Sequence, residues 1–157
     1  MWRAWMTASM LMLAGCSDKD NAFEYFTKLD STHERAVMNL RTVMLRDEHN
    51  RTHSVISVIY LDPVEPKLYR GQNYFLVGLY DRDKTPLSSY RVTLNGRAPA
   101  GIAELDANCS LRTLMPLNNP WTDYYEVVFP ALEDTNLTIT FETDRSLRGS
   151  ATYRTDR

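Results

Sequence analysis

The sequence predicts a mainly β protein in which an N-terminal amphipathic helix packs on an antiparallel β-sandwich. Three observations lead there. From Ala22 to about Glu48 there is no Gly or Pro, and apolar residues recur at steps of three or four. After Asn50 the period drops to two and β-branched residues become frequent. Turn residues then punctuate the chain at short intervals with no helical pattern between them, which favours stacked antiparallel sheets over an alternating α/β fold.

Ahead of the folded part, Met1-Trp2-Arg3 is followed by an uncharged run that ends in Leu13-Ala14-Gly15-Cys16. One positive charge, a short apolar stretch and a small-residue cleavage site are the parts of a secretion signal. The stretch is shorter than the roughly 20 residues a spanning helix needs. Leu13-Ala14-Gly15-Cys16 resembles the lipobox of bacterial lipoproteins, where the cysteine thiol receives a diacylglyceryl group and the chain is cut just before it. The resemblance implies that residues 1–15 are a signal peptide and that Cys16 is the lipid attachment site. It also implies that 16–22 is a short lipidated tether and that the protein sits in the cell envelope. Two or three acyl chains hold a protein firmly where one holds it marginally. Ser17 follows the cysteine in place of the aspartate that favours inner-membrane retention, so the same resemblance implies the outer membrane, on its periplasmic face.

The helix is expected over 23–48, with Ala22, Phe26, Leu29, His33, Ala36, Leu40 and Val43 along one face. Ser31 with Glu34 forms a capping-box pattern that allows a break near Asp30. Strands are expected at Val55 to Leu61, Tyr74 to Tyr80, Ser89 to Leu94, Ala100 to Leu105, Asp123 to Phe129, Leu137 to Glu142 and Gly149 to Thr155. Asn95-Gly96 marks a tight turn, because both residues tolerate positive φ. Seven short strands over 51–157 read as a sandwich of immunoglobulin-like type, although the Cys-Trp-Cys core of antibody domains is absent. Alternation in Tyr90-Val92-Leu94 and Leu137-Ile139-Phe141 leaves those strands one wet face, whereas Val55 to Leu61 and Tyr74 to Tyr80 are apolar on nearly every position. The latter pair needs cover on both faces, and the helix is expected to lie across their outer side as part of one composite domain.

The formal net charge is −2 and no basic block occurs, which argues against nucleic acid as a partner. Nor does any polybasic stretch suggest headgroup binding. With Cys16 acylated, Cys109 has no second thiol in the chain to pair with, and it reads as a buried small residue or a free thiol. His49 and His53 would align as metal ligands only on a continuous helix, which Asn50-Arg51-Thr52 argues against. Asp81-Arg82-Asp83 fits a solvated turn better than a calcium loop. There is no nucleophile elbow, zinc-protease motif or phosphate loop, so no catalytic residue, metal or cofactor is expected.

The most distinctive stretch is Asn118-Asn119-Pro120-Trp121-Thr122-Asp123-Tyr124-Tyr125. By strand alternation Tyr125, Val127 and Phe129 share one face and Tyr124, Glu126 and Val128 the other, so one tyrosine points inward and its neighbour outward. Trp121, Tyr124, Asn118 and Asn119 form a candidate binding surface, with Trp121 and Tyr125 plugging the end of the sandwich as the alternative. Asn119 to Pro130, together with Val58-Ile59-Tyr60-Leu61-Asp62-Pro63 and Phe75-Leu76-Val77-Gly78-Leu79-Tyr80, resembles small uncharacterised lipoproteins of the epsilonproteobacterial lineage. That resemblance implies a compartment and a fold but no activity. The expectation is a lipid-anchored, non-enzymatic module that meets another envelope protein, or alternatively a small-ligand or glycan binder built on the Trp121 and Tyr124 region.

Overall fold

The computed structural model describes residues 30–155; the signal, Cys16, the tether and the first part of the expected helix lie outside the described residues. The element order is α1 (Ser31–Met38), β1 (Leu40–Arg46), β2 (Thr52–Tyr60), β3 (Gln72–Asp81), β4 (Arg91–Leu94), β5 (Gly101–Glu104), β6 (Asp123–Pro130), β7 (Asn136–Glu142) and β8 (Arg148–Arg154). Short 3-10 turns occupy Leu87–Ser89 and Ser110–Leu114. Two antiparallel sheets result, a five-stranded one in the order β1-β2-β3-β6-β5 and a three-stranded one in the order β4-β7-β8. Each of the seven expected strands lies within a few residues of an observed one.

The helix expected over 23–48 is corrected by an eighth strand. Asp30 caps α1, its carboxylate accepting from the Thr32 and His33 amides at 3.0 and 2.9 Å. The helix ends at Met38, and Leu40–Arg46 runs antiparallel to β2. Leu40 and Val43 sit three apart, which suits a helix, but Val43 and Leu45 also sit two apart. In the strand those two enter the core while Thr42 and Met44 face outward. Tertiary packing decided between the two periods. Val43 and Leu45 rest on β8, where a Cβ on Gly149 would come within 2.5 Å of Val43 Cγ1 and 2.8 Å of Leu45 Cδ2. Only glycine allows β1 to close over β8 at this distance.

The main core lies between the sheets, joining Val43, Leu45, Ile56, Val58, Phe75, Val77, Val127 and Phe129 to Val92, Leu94, Leu137, Ile139, Phe141 and Tyr153. Phe75 anchors it, stacked on Tyr60 with centroids 5.0 Å apart and edge-on to Phe129 at 5.8 Å. The buried phenols are satisfied: Tyr153 OH donates to Val58 O across the sheets at 2.7 Å, and Tyr60 OH donates to Asn73 Oδ1 at 3.0 Å. Asn95 and Gly96 both take positive φ in the turn after β4, as expected there.

A second cluster covers one end of the outer face of the five-stranded sheet. Ala36 of α1 meets Ile59, Leu61 and Leu76 there, with Val64, Leu114, Met115 and Tyr124 around them. The cover that β2 and β3 required is thus shared among a two-turn helix, the segment after β2 and the 3-10 turn at Ser110–Leu114. The long helix expected to supply it alone is replaced, in its second half, by β1.

Candidate functional site

The cover stops partway along the sheet. Register places Thr42, Ser57 and Gly78 side by side across β1, β2 and β3, with Tyr124 of β6 next in the row, and places Met44, Val55 and Tyr80 side by side in the next row out. The first row is small, so it forms the floor of a trough of about 300 Å³, bounded by Leu40, Val55, Tyr80, Pro116, Leu117, Asn119, Thr122 and Tyr124 among others. Gly78 has a steric reason to be glycine: a Cβ there would lie 3.2 Å from both Thr122 Cγ2 and Tyr124 Cε1.

The rim is unusually apolar for a surface. Leu117, 81% exposed, and the exposed Tyr80 both line the trough; exposed Met44 stands in the row of Tyr80, and Trp121, 72% exposed, sits in the loop between Asn119 and Thr122. Asn119 shapes the loop that carries the tryptophan, its Oδ1 accepting from the Trp121 amide at 3.0 Å and from Thr122 Oγ1 at 2.9 Å.

Of the sequence-predicted surface, Trp121 and Asn119 stand at the trough, Asn119 lining it and Trp121 adjoining two lining residues. Asn118 is exposed and accepts from Arg112 Nη2 at 3.4 Å. The expectation of an outward-facing Tyr124 is corrected. Tyr124 does lie on the opposite face from Tyr125, but it is only 2% exposed. Its hydroxyl donates to Leu117 O at 3.0 Å, and the Arg112 guanidinium sits 4.4 Å from its ring centroid. Tyr124 therefore holds the loop and does not present a free ring. Arg112, Leu117, Met44 and Tyr80 escaped sequence reasoning because they come from three separate segments, the first two from the β5–β6 connection and the others from β1 and β3. The one available signal was the alternation that leaves Met44 and Tyr80 on the same face, and it appears only once β1 is read as a strand.

At another place in the fold, a buried polar network joins β2 to the turn after β3. His53 and Ser54 are both buried. Ser54 Oγ donates to Asp81 Oδ2 at 2.9 Å, Tyr90 OH donates to the same oxygen, and the Asp83 and Thr85 amides donate to Asp81 Oδ1 at 2.8 and 3.0 Å. Burial pushes the Asp81 carboxyl up, but hydrogen bonds from Tyr90, the Thr85 amide, Ser54 and the Asp83 amide together outweigh it and hold the carboxyl below its ordinary value. Burial, followed by the bond to Asp81, raises the Tyr90 phenol.

His53 Nδ1 lies 2.8 Å from Ser54 Oγ and 3.3 Å from Asp81 Oδ2, while Nε2 lies 3.1 Å from Asp83 Oδ2. Ser54 meets Nδ1 and Asp83 meets Nε2, opposite ring nitrogens as in a nucleophilic triad, but Ser54 has no exposed surface and its hydroxyl donates to Asp81, so it is not presented to a substrate. The two carboxylates flank opposite edges of the ring, so no single cation reaches both of them and the imidazole together, and among the described residues no such metal cluster occurs. The network is built to pin the Asp81–Thr85 turn, with Arg145 reaching Asp83 from the β7–β8 hairpin at 3.7 Å. His33 bonds Asp30 at the cap of α1, His49 is exposed in the β1–β2 turn, and Cys109 is a half-buried free thiol.

Comparison of the chain with protein-family models, curated proteins and solved structures finds no match in any of the three.

Proposed function

We propose that this protein is a lipid-anchored envelope module, held through Cys16 at the periplasmic face of the outer membrane, that binds another envelope protein through the trough on its five-stranded sheet. The observation that carries the binding reading is the apolar rim, in which Leu117 and Tyr80 stand exposed in the lining above a floor of small residues, with exposed Met44 in the same row as Tyr80 and exposed Trp121 in the loop between the lining residues Asn119 and Thr122. A lone exposed hydrophobe is ordinary, but large ones gathered around a concavity suit a partner's anchor residues. The module is read as non-enzymatic because the densest polar network, which borders a cavity of about 260 Å³, keeps Ser54 buried and commits Asp81 to bonds with its own turn. The anchor is supported by Leu13-Ala14-Gly15-Cys16, and the immunoglobulin-like reading by two facing antiparallel sheets between which the chain repeatedly switches.

A second reading, a small-ligand or glycan site, draws on the exposure of Trp121 beside a concavity. It loses Tyr124 as a stacking ring, because that ring is covered, and retains the exposed Tyr80 in the trough lining.

The test is a photoreactive benzoylphenylalanine placed at Leu117 in cells, with Thr152 on the outer face of the three-stranded sheet as control. A discrete adduct from position 117, absent from 152 and lost on Trp121→Ala, is the expected result. Identical adduct patterns from both positions would overturn the trough as the binding surface.

A further inference from the structure

The cations of this chain are scattered in sequence, but the fold gathers three of them. Arg35 of α1, and Lys67 and Arg70 of the segment after β2, line an open depression of about 650 Å³, in which Glu65 is the one acidic lining residue among the described residues. Arg35 Nε donates to Val64 O at 2.8 Å and Arg70 Nε donates to Pro66 O at 3.0 Å, so one turn holds both guanidinium groups in place. Elsewhere Arg51, Arg91 and Arg145 lie beside Asp47, Glu142 and Asp83; among the described residues no carboxylate pairs with Arg35, Lys67 or Arg70. Leu68 stands 66% exposed within the depression, and Met38, one turn along α1 from Arg35, is 70% exposed.

We infer that this face, formed by α1 and the 63–70 segment, docks on the anionic phospholipid headgroups of the membrane that holds the anchor. The inference rests on the anchored reading above. Unpaired cations around exposed aliphatic side chains match a surface with phosphate outside and hydrocarbon beneath. Chain geometry selects the same end of the molecule. Asp30 caps α1, and Arg35 Nη2 reaches back to Thr32 Oγ1 at 3.5 Å, so the depression lies beside the point where the described chain begins. Only the thirteen residues Ser17 to Leu29 separate Cys16 from Asp30. Even fully extended they reach no further than about 50 Å, so the end of the domain that carries the depression stays within that distance of the bilayer.

The test uses the acylated protein in vesicles of phosphatidylcholine with or without phosphatidylglycerol. A polarity-sensitive fluorophore is placed on Leu68→Cys in a Cys109→Ser background, with Thr152→Cys as the control. Flotation with the vesicles reports the anchor, and the emission at position 68 reports docking. Emission at 68 should shift to the blue only when phosphatidylglycerol is present, while emission at 152 stays water-like. Combined Arg35→Gln, Lys67→Gln and Arg70→Gln should lower the docked-to-undocked ratio by about 5-fold per cation removed, on the order of 100-fold together. Protein that floats, yet shows the same emission at 68 with and without phosphatidylglycerol, overturns the docking face and leaves the anchor standing. A shift that survives the triple variant also overturns it. Protein that does not float removes the anchor, and the inference with it.

Discussion

Tyr90→Phe removes one hydroxyl from a site where Asp81 is held by four donors, and its cost follows from that geometry. The Tyr90 phenol donates to a buried carboxylate, a charge-assisted bond worth about 2 kcal/mol in stability. For a chain of this size that lowers the melting temperature by roughly 6–7 °C. The loss should depend on the ionisation of Asp81. Because the folded carboxyl is held below its ordinary value, the unfolded chain takes up the proton first as pH falls. The contribution is therefore complete above about pH 5, where an unfolded aspartate is almost wholly ionised, and disappears as pH falls through the folded value. Asp81→Asn should flatten that part of the stability curve. Combined with Tyr90→Phe it should yield a coupling of about 1 kcal/mol or more, as expected of residues in direct contact. Urea unfolding at several pH values measures all of this. Additive single and double variants, or a Tyr90→Phe cost unchanged from neutral pH to pH 2, would refute the network as described.

Gly149→Ala should destabilise by about 1–3 kcal/mol through overpacking against Val43 and Leu45, whereas Gly101→Ala, whose Cβ would meet nothing within 4 Å, should change stability far less; thermal unfolding of the two compares them. Trp121→Ala should leave stability within about 0.5 kcal/mol while abolishing the adduct from position 117, and a large loss of stability would show the indole to be a packing residue. Cys16→Ser should leave an unprocessed precursor without lipid label, whereas wild-type protein should partition into detergent; fatty-acid label on the variant would contradict the anchor.

Strand positions were legible in the sequence because alternation and turn chemistry are local. Asn95-Gly96 needed no partner to announce a turn, and Leu137, Ile139 and Phe141 needed none to mark a buried face. The need of β2 and β3 for cover on both sides could likewise be inferred from their composition. What covers them could not. Leu40 to Arg46 satisfies a helical step and a strand alternation at once, and the choice was made by partners far along the chain: the β2 edge that offers a ladder, and Gly149, which leaves room for Val43 and Leu45. That choice also produced the trough, since only with β1 as a strand do Thr42 and Met44 join Ser57, Gly78 and Tyr80 on one outer face. Trp121 and Asn119 stood out by composition, but the withdrawal of Tyr124 depended on Arg112, twelve residues earlier, stacking over its ring. Arg35, Lys67 and Arg70 form no basic run, and they converge because Ala36 buries against the segment that follows β2. Periodicity fixes which way each side chain faces along its own element. Which faces meet is decided by long-range packing, whose free energy belongs to pairs of segments and is carried by neither alone.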